Sequence, residues 1–267
     1  MKIKRYLTLL RACIIESLQF RMSALVILAG NLLYLIVVFY LWQAIYASAG
    51  TDIVNGMTFS DTLIYLVLAT ALYNFMEMYI VWDIGRSIQT GEITLKLLKP
   101  MSYRRLIFWG NAGMFIIQFF FTFLPTFIVV SIVTNGAIPL GINLLYFAVS
   151  VLMSISINFS IDFFIGTVCL YTESIWGINM MKQVVVLLLS GATIPLAFFP
   201  EPFRTIVSYM PFQSIYNAPL SILLNGNPEP KWLLVTLGTQ LFWYVAMNLL
   251  TKLFWKFSVK RITVNGG

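Results

Sequence analysis

Six long apolar runs, at about residues 23–45, 59–82, 107–132, 142–170, 184–199 and 232–254, alternate with short polar or proline-rich stretches. Continuous runs of this kind cross the roughly 30 Å hydrocarbon core of a bilayer as helices, whereas barrel strands would alternate apolar and polar positions over about ten residues. The pattern predicts an all-α integral membrane protein with six transmembrane helices in one domain spanning residues 1–267. Ahead of the first run, Ile3, Leu7, Leu10, Ile14 and Leu18 recur at helical spacing among Lys2, Lys4, Arg5, Arg11 and Arg21. That spacing predicts an amphipathic interfacial helix over residues 1–22. A cleaved signal peptide is the less favoured reading, because the apolar region after Arg21 is longer than a signal core.

Composition agrees with a membrane protein: 60% of residues are hydrophobic, 10% are charged and the mean hydropathy is +0.87. The net charge of +7 does not indicate nucleic acid, because the basic residues flank apolar runs instead of forming a soluble basic face. With six crossings and the N-terminus inside, 15 of the 17 Lys and Arg fall on the inner side, leaving Arg204 and Lys231 outside. The positive-inside rule therefore predicts a multi-pass protein of the cell membrane with both termini cytoplasmic. Anionic lipid headgroups are the expected neighbours of the basic residues. Cys13 and Cys169 both fall near the inner surface, where a structural disulfide is not expected.

The longest polar stretch, Arg86 to Leu106, carries Arg86, Lys96, Lys99, Arg104 and Arg105 against the single acid Glu92. It belongs to a cytoplasmic loop over residues 83–106, longer than a minimal connection between helices. Its mixture of Ile93, Leu95, Leu97 and Leu98 with charges is that of a docking surface. Before the last run, Pro195, Pro200, Pro202, Pro211 and Pro219 break an apolar, aromatic segment. Each proline removes a backbone donor and clashes with the preceding turn, so one continuous helix is excluded. Two short re-entrant helices over residues 195–220 reconcile the breaks with the apolar content, and an ordinary outer loop with an interfacial helix is the alternative.

This order of parts resembles the membrane subunit of type-2 ATP-binding-cassette exporters. GEITLKLLKPMSYRRL at residues 91–106 and SGATIPLAFFPEPF at residues 190–203 resemble that family's inner-loop and outer patterns. The resemblance implies a permease domain forming half of a pathway for an amphipathic or hydrophobic substrate, such as a drug, antimicrobial peptide, lipid or glycan. A second permease, identical or related, completes the pathway. ATPase coupling is expected around Arg86, Gly91, Glu92, Lys96, Leu97, Leu98, Lys99 and Pro100, and an outer gate around Pro195, Phe198, Phe199 and Pro200. For Arg104 and Arg105, beside the third run, a lipid-facing topology role stands equally open. ATP and Mg are expected on separate ABC ATPase subunits, with no cofactor in this chain.

Ser150, Ser154, Asn158, Asp162 and Gly166 recur every four residues on the fourth run, and Thr70, Asn74 and Glu77 form a similar stripe on the second. Hydrogen bonding between helices is the favoured reading of the stripes. Acids within a bilayer are costly and face protein or water, so Glu77 and Asp162 are equally candidates for function, with Thr70, Asn74 and Asn158 beside them. Catalysis is not expected, because the chain has no histidine, no P-loop sequence and no cluster among its 10 acids. An ion-coupled secondary transporter using Glu77 and Asp162 is the alternative function.

Overall fold

Long apolar runs leave the backbone no hydrogen-bonding partner but itself, and the chain is accordingly 79% helical. The computed structural model describes residues 2–19, 21–134, 136, 138–139, 141–172 and 174–262, with the side chains of 2, 3, 21–29 and 32 excepted. The predicted roles of Lys2, Ile3 and Arg21 lie outside those described side chains.

Helices α1 (Lys2–Gln19) and α2 (Arg21–Ala49) are followed by a small antiparallel hairpin of β1 (Ile53–Val54) and β2 (Met57–Thr58). Thr58 then starts α3 (Phe59–Met76) with a capping box, its hydroxyl accepting from the Asp61 N–H while the Asp61 carboxylate accepts from the Thr58 N–H. After a break at Glu77, Met78 and Tyr79 come α4 (Ile80–Gln89) and α5 (Glu92–Leu97). The next helix, α6 (Tyr103–Gln118), passes through a wide π-turn at Phe119–Phe123 into α7 (Leu124–Val133). Pro125 explains that turn: it lacks an N–H and would crowd the preceding carbonyl in a regular helix. The chain continues through α8 (Asn143–Val168), α9 (Ile175–Leu189), two short helices α10 (Glu201–Ser208) and α11 (Asn217–Leu224), and α12 (Pro230–Ser258).

Among the described residues, four segments are long and apolar enough to cross a membrane: Phe59–Gln89, Tyr103–Val133, Asn143–Val168 and Pro230–Arg261. Leu33–Ala49, the part of α2 whose side chains are described without a break, is apolar, and Ile175–Leu189 is a shorter apolar helix. The fifth run is displaced from its expected position, because Ser190 and Gly191 end α9 before residue 199 and Trp176–Lys182, expected as loop, form its first turns. Fifteen residues of α9 rise only about 22 Å, less than the hydrocarbon core alone. The expected loop over 83–106 is also mostly helical, and Arg104 and Arg105 belong to α6.

Helix α8 is the hub, with α12, α4, α11 and α9 packed around it. Two glycine notches bring α4 close to α8 and to the start of α9. A Cβ on Gly166 of α8 would lie 2.8 Å from Ile84 Cδ1 and 3.1 Å from Ile84 Cβ, and one on Gly85 of α4 would lie 2.7 Å from Ile175 Cδ1. Ile84 thus enters α8, and Ile175 enters α4. Gly166→Val overfills the first notch and is expected to cost about 1–3 kcal/mol, read as a lower thermal midpoint in detergent; an unchanged midpoint would mean that the helices separate without cost.

A third notch, at Gly113, admits α1: a Cβ there would lie 2.8 Å from the Ile14 nitrogen and 2.9 Å from Cys13 Cβ. Tyr6 meets Trp109, and the Ser17 hydroxyl approaches Met114 Sδ. The predicted apolar stripe of α1 is divided: Leu10 and Ile14 are half-buried while Leu7 and Leu18 are exposed. Contacts along the chain define two ends of the bundle. Arg5 reaches the Pro100 carbonyl, Ile175 reaches Gly85, and Tyr171 bonds Ser258 at one end. Asn143 reaches the Asn225 carbonyl and Trp42 meets Phe198 at the other.

Candidate functional site

The break between α3 and α4 leaves carbonyls without helical partners, and α8 supplies one. Asn158 Nδ2 donates to the Met76 carbonyl at 2.9 Å from a buried position. Glu77 lies in the break itself, half-buried. One turn along α8, Asp162 is 1% exposed and accepts a 2.8 Å hydrogen bond from Lys182 Nζ of α9. Tyr73, Glu77, Asn158, Asp162, Lys182 and Tyr216 line a cavity of ≈ 20 Å³, about the room a single water occupies. Lys182 is the single cation among those lining groups, against two carboxylates. The Lys182 ammonium, expected as a cytoplasmic charge, is instead the internal partner of Asp162. Thr70 bonds back to the Leu66 carbonyl of its own helix, and Asn74, in the last turn of α3, is half-buried and does not line the cavity.

The stripe of α8 continues toward the opposite end as a second network. Ser150 Oγ donates to Gln240 Oε1 of α12 at 2.8 Å, and Gln240 Nε2 donates to the Ser214 carbonyl and Ser154 Oγ, each at 2.9 Å. Gln240 is fully buried, so every one of these bonds replaces water that the site excludes. Sequence reasoning missed Gln240 and Lys182. The available signal was a lone strong polar group in an apolar run, which needs a partner wherever it is buried.

At the basic end, α4 and α5 form a helical hairpin turned at Gly91, whose φ of +74° belongs to the left-handed region that only glycine enters without strain. Lys96 Nζ donates to Asp83 Oδ1 at 2.7 Å and lies 3.9 Å from Glu92, which clamps α5 to α4. Ile93 is buried and Leu97 packs against the core. Leu95 and Leu98 point away, 64% and 81% exposed. Arg86, Glu92, Lys99 and Pro100 are exposed around them. The hairpin therefore offers an apolar pair within a charged rim, and Lys96 and Leu97 hold that surface up from behind.

At the other end, Pro195 is buried, Phe198 meets the Trp42 ring at 4.5 Å, and Phe199 meets Phe203 at 5.3 Å, with Pro200 exposed. Gly191, at φ +80°, precedes this segment, and its carbonyl accepts from the Tyr65 hydroxyl at 2.9 Å. Helix α11 is buried through Ala218, Pro219, Leu220, Ile222 and Leu223, while α10 is exposed along most of its length.

No cluster of metal-ligating side chains occurs among the described residues. A comparison with curated proteins finds no match. A family model described as "ABC-2 family transporter protein" matches residues 32–266, so the chain belongs to the ABC-2 transporter family and is a membrane permease of the ABC transporter class.

Proposed function

We propose that the chain is one half of an ATP-driven exporter, crossing the cell membrane six times with both termini in the cytoplasm. A second permease, identical or related, completes the pathway, and two ABC ATPase subunits bind ATP and Mg below it. Membership of the family supports ATPase partners in general. The observation that carries their place of docking is the exposed Leu95–Leu98 pair on a hairpin held rigid by the Asp83–Lys96 bridge.

Force on α5 passes into α4 through that bridge, and from α4 into α8 and α9 through the two glycine notches. The break at Glu77–Tyr79 lets α4 tilt while α3 stays in place. Closure of the ATPases then rocks the two permeases between arrangements of different cavity width. An amphipathic or hydrophobic substrate passes along their interface. Residues 195–220 re-enter the outer leaflet and gate that side. The burial of α11 supports re-entry, since broken backbone within a membrane needs shelter from protein.

A photo-crosslinking residue at Leu98 tests the docking face. It is expected to capture an ABC ATPase subunit co-expressed with the permease, whereas the same residue at Leu234, exposed on the far end of α12, captures none. Capture from Thr172 or the tail but not from Leu98 would move the docking face.

A further inference from the structure

A groove of ≈ 1090 Å³ runs between α6 and α12, floored by α8. Its two ends differ chemically. Arg104, Arg105 and Lys252 stand at the basic end, while Phe115, Ile116 and Leu152 line the other. Among the described residues no Asp or Glu lines it.

Arg104 is half-buried, a guanidinium is a permanent cation at physiological pH, and yet each hydrogen-bond partner it has among the described residues is neutral. Its Nη2 donates to Ser160 Oγ at 2.8 Å and to Asn248 Oδ1 at 2.6 Å, and its Nη1 to the Asn248 carbonyl at 3.4 Å. The guanidinium lies 5.3 Å from the centre of the Phe159 ring. No ion pair to Arg104 exists among the described residues. A cation within an apolar bundle is costly without a counter-charge, and here the protein fixes its geometry without supplying one.

From Arg104 to Ile116 the helical rise is about 18 Å, comparable with the roughly 15 Å of hydrocarbon in one leaflet. We propose that this groove binds one anionic membrane phospholipid, its phosphate against Arg104, Arg105 and Lys252 and an acyl chain lying toward Phe115 and Leu152. A second copy of the chain fits less well. Two copies in one membrane share an orientation, so the basic end of the one would meet the basic end of the other.

The test uses the purified full chain in detergent and native mass spectrometry. The probes are phosphatidylglycerol and phosphatidylcholine with the same acyl chains. Phosphatidylglycerol is expected to be retained about tenfold better. Arg105→Gln with Lys252→Gln, both exposed positions, is expected to remove that preference, while Lys4→Gln with Lys260→Gln removes equal charge elsewhere and leaves it intact. Met153→Trp, which narrows the groove without touching its charge, is expected to lower retention of phosphatidylglycerol several-fold. Equal retention of the two lipids, equal losses in the two double variants, or displacement by excess inorganic phosphate would overturn the proposal. So would a disulfide between two copies carrying cysteine at Leu152, which would make the groove a protein interface.

Discussion

Lys182→Met is expected to destabilise the permease by about 3–5 kcal/mol, the cost of leaving a buried carboxylate without its partner. Asp162 is 1% exposed and has only the Lys182 ammonium, 2.8 Å away, as counter-charge; its second oxygen makes no hydrogen bond among the described residues. The loss reads as a drop of roughly 10 °C in thermal midpoint. Asp162→Asn alone is expected to cost less, because the lysine, 12% exposed against 1% for the aspartate, has a long flexible stem that can carry its charge to water. The double variant D162N/K182M removes both charges and is expected to recover most of the stability, since a neutral pair avoids the desolvation that the ion pair must overcome. If the double variant is as unstable as the sum of the single ones, the two groups act independently and the bridge is not what holds α9 to α8. A stable double variant that no longer transports would place the pair in the transport cycle itself. That outcome separates a packing role for the acids from a functional one.

Four of the apolar helices were legible from length alone, because a bilayer forces the backbone to satisfy itself and few residues interrupt them. The long basic stretch was legible as a break between two apolar runs from its charges, though its helical hairpin was not. A helix of six residues, Glu92–Leu97, leaves too little periodicity to read. The burial of Leu97 beside the exposure of Leu98 follows from a single step of about 100° around the helix, which the local sequence does not orient. Lys182 shows a different limit. Counting it as an inner charge treated every cation as solvated, and its partner lies 20 residues earlier on another helix. Asp162 itself was the usable signal, since a carboxylate placed inside a span demands a cation from somewhere. The same demand, turned around, applies to Arg104, whose neutral partners Ser160 and Asn248 come from two further helices. The Pro-rich segment was half legible: the prolines marked its breaks, but nothing local distinguishes exposed α10 from buried α11.

Replacing Leu95 and Leu98 together by serine is expected to release the ATPase while leaving the permease folded. The two side chains stand three residues apart on one face of the hairpin, both exposed, so their truncation removes nothing from the core. The thermal midpoint of the isolated permease should therefore stay close to wild type, as for most surface substitutions. If the pair is buried on docking, each leucine contributes about 1.5–3 kcal/mol, and the double variant weakens binding on the order of a hundred-fold or more. Lys99→Gln at the rim is expected to alter mainly the salt dependence and rate of assembly, because exposed charges steer encounter more than they hold a complex. Leu97→Ser provides the contrast: it faces the core, so it should lower the permease's own stability before it affects docking. Co-purification of the ATPase and substrate-stimulated hydrolysis read all three variants. Wild-type co-purification and coupling in the Leu95, Leu98 double variant would show that the ATPase is held elsewhere at the basic end, with the hairpin serving only to brace α4 against α8.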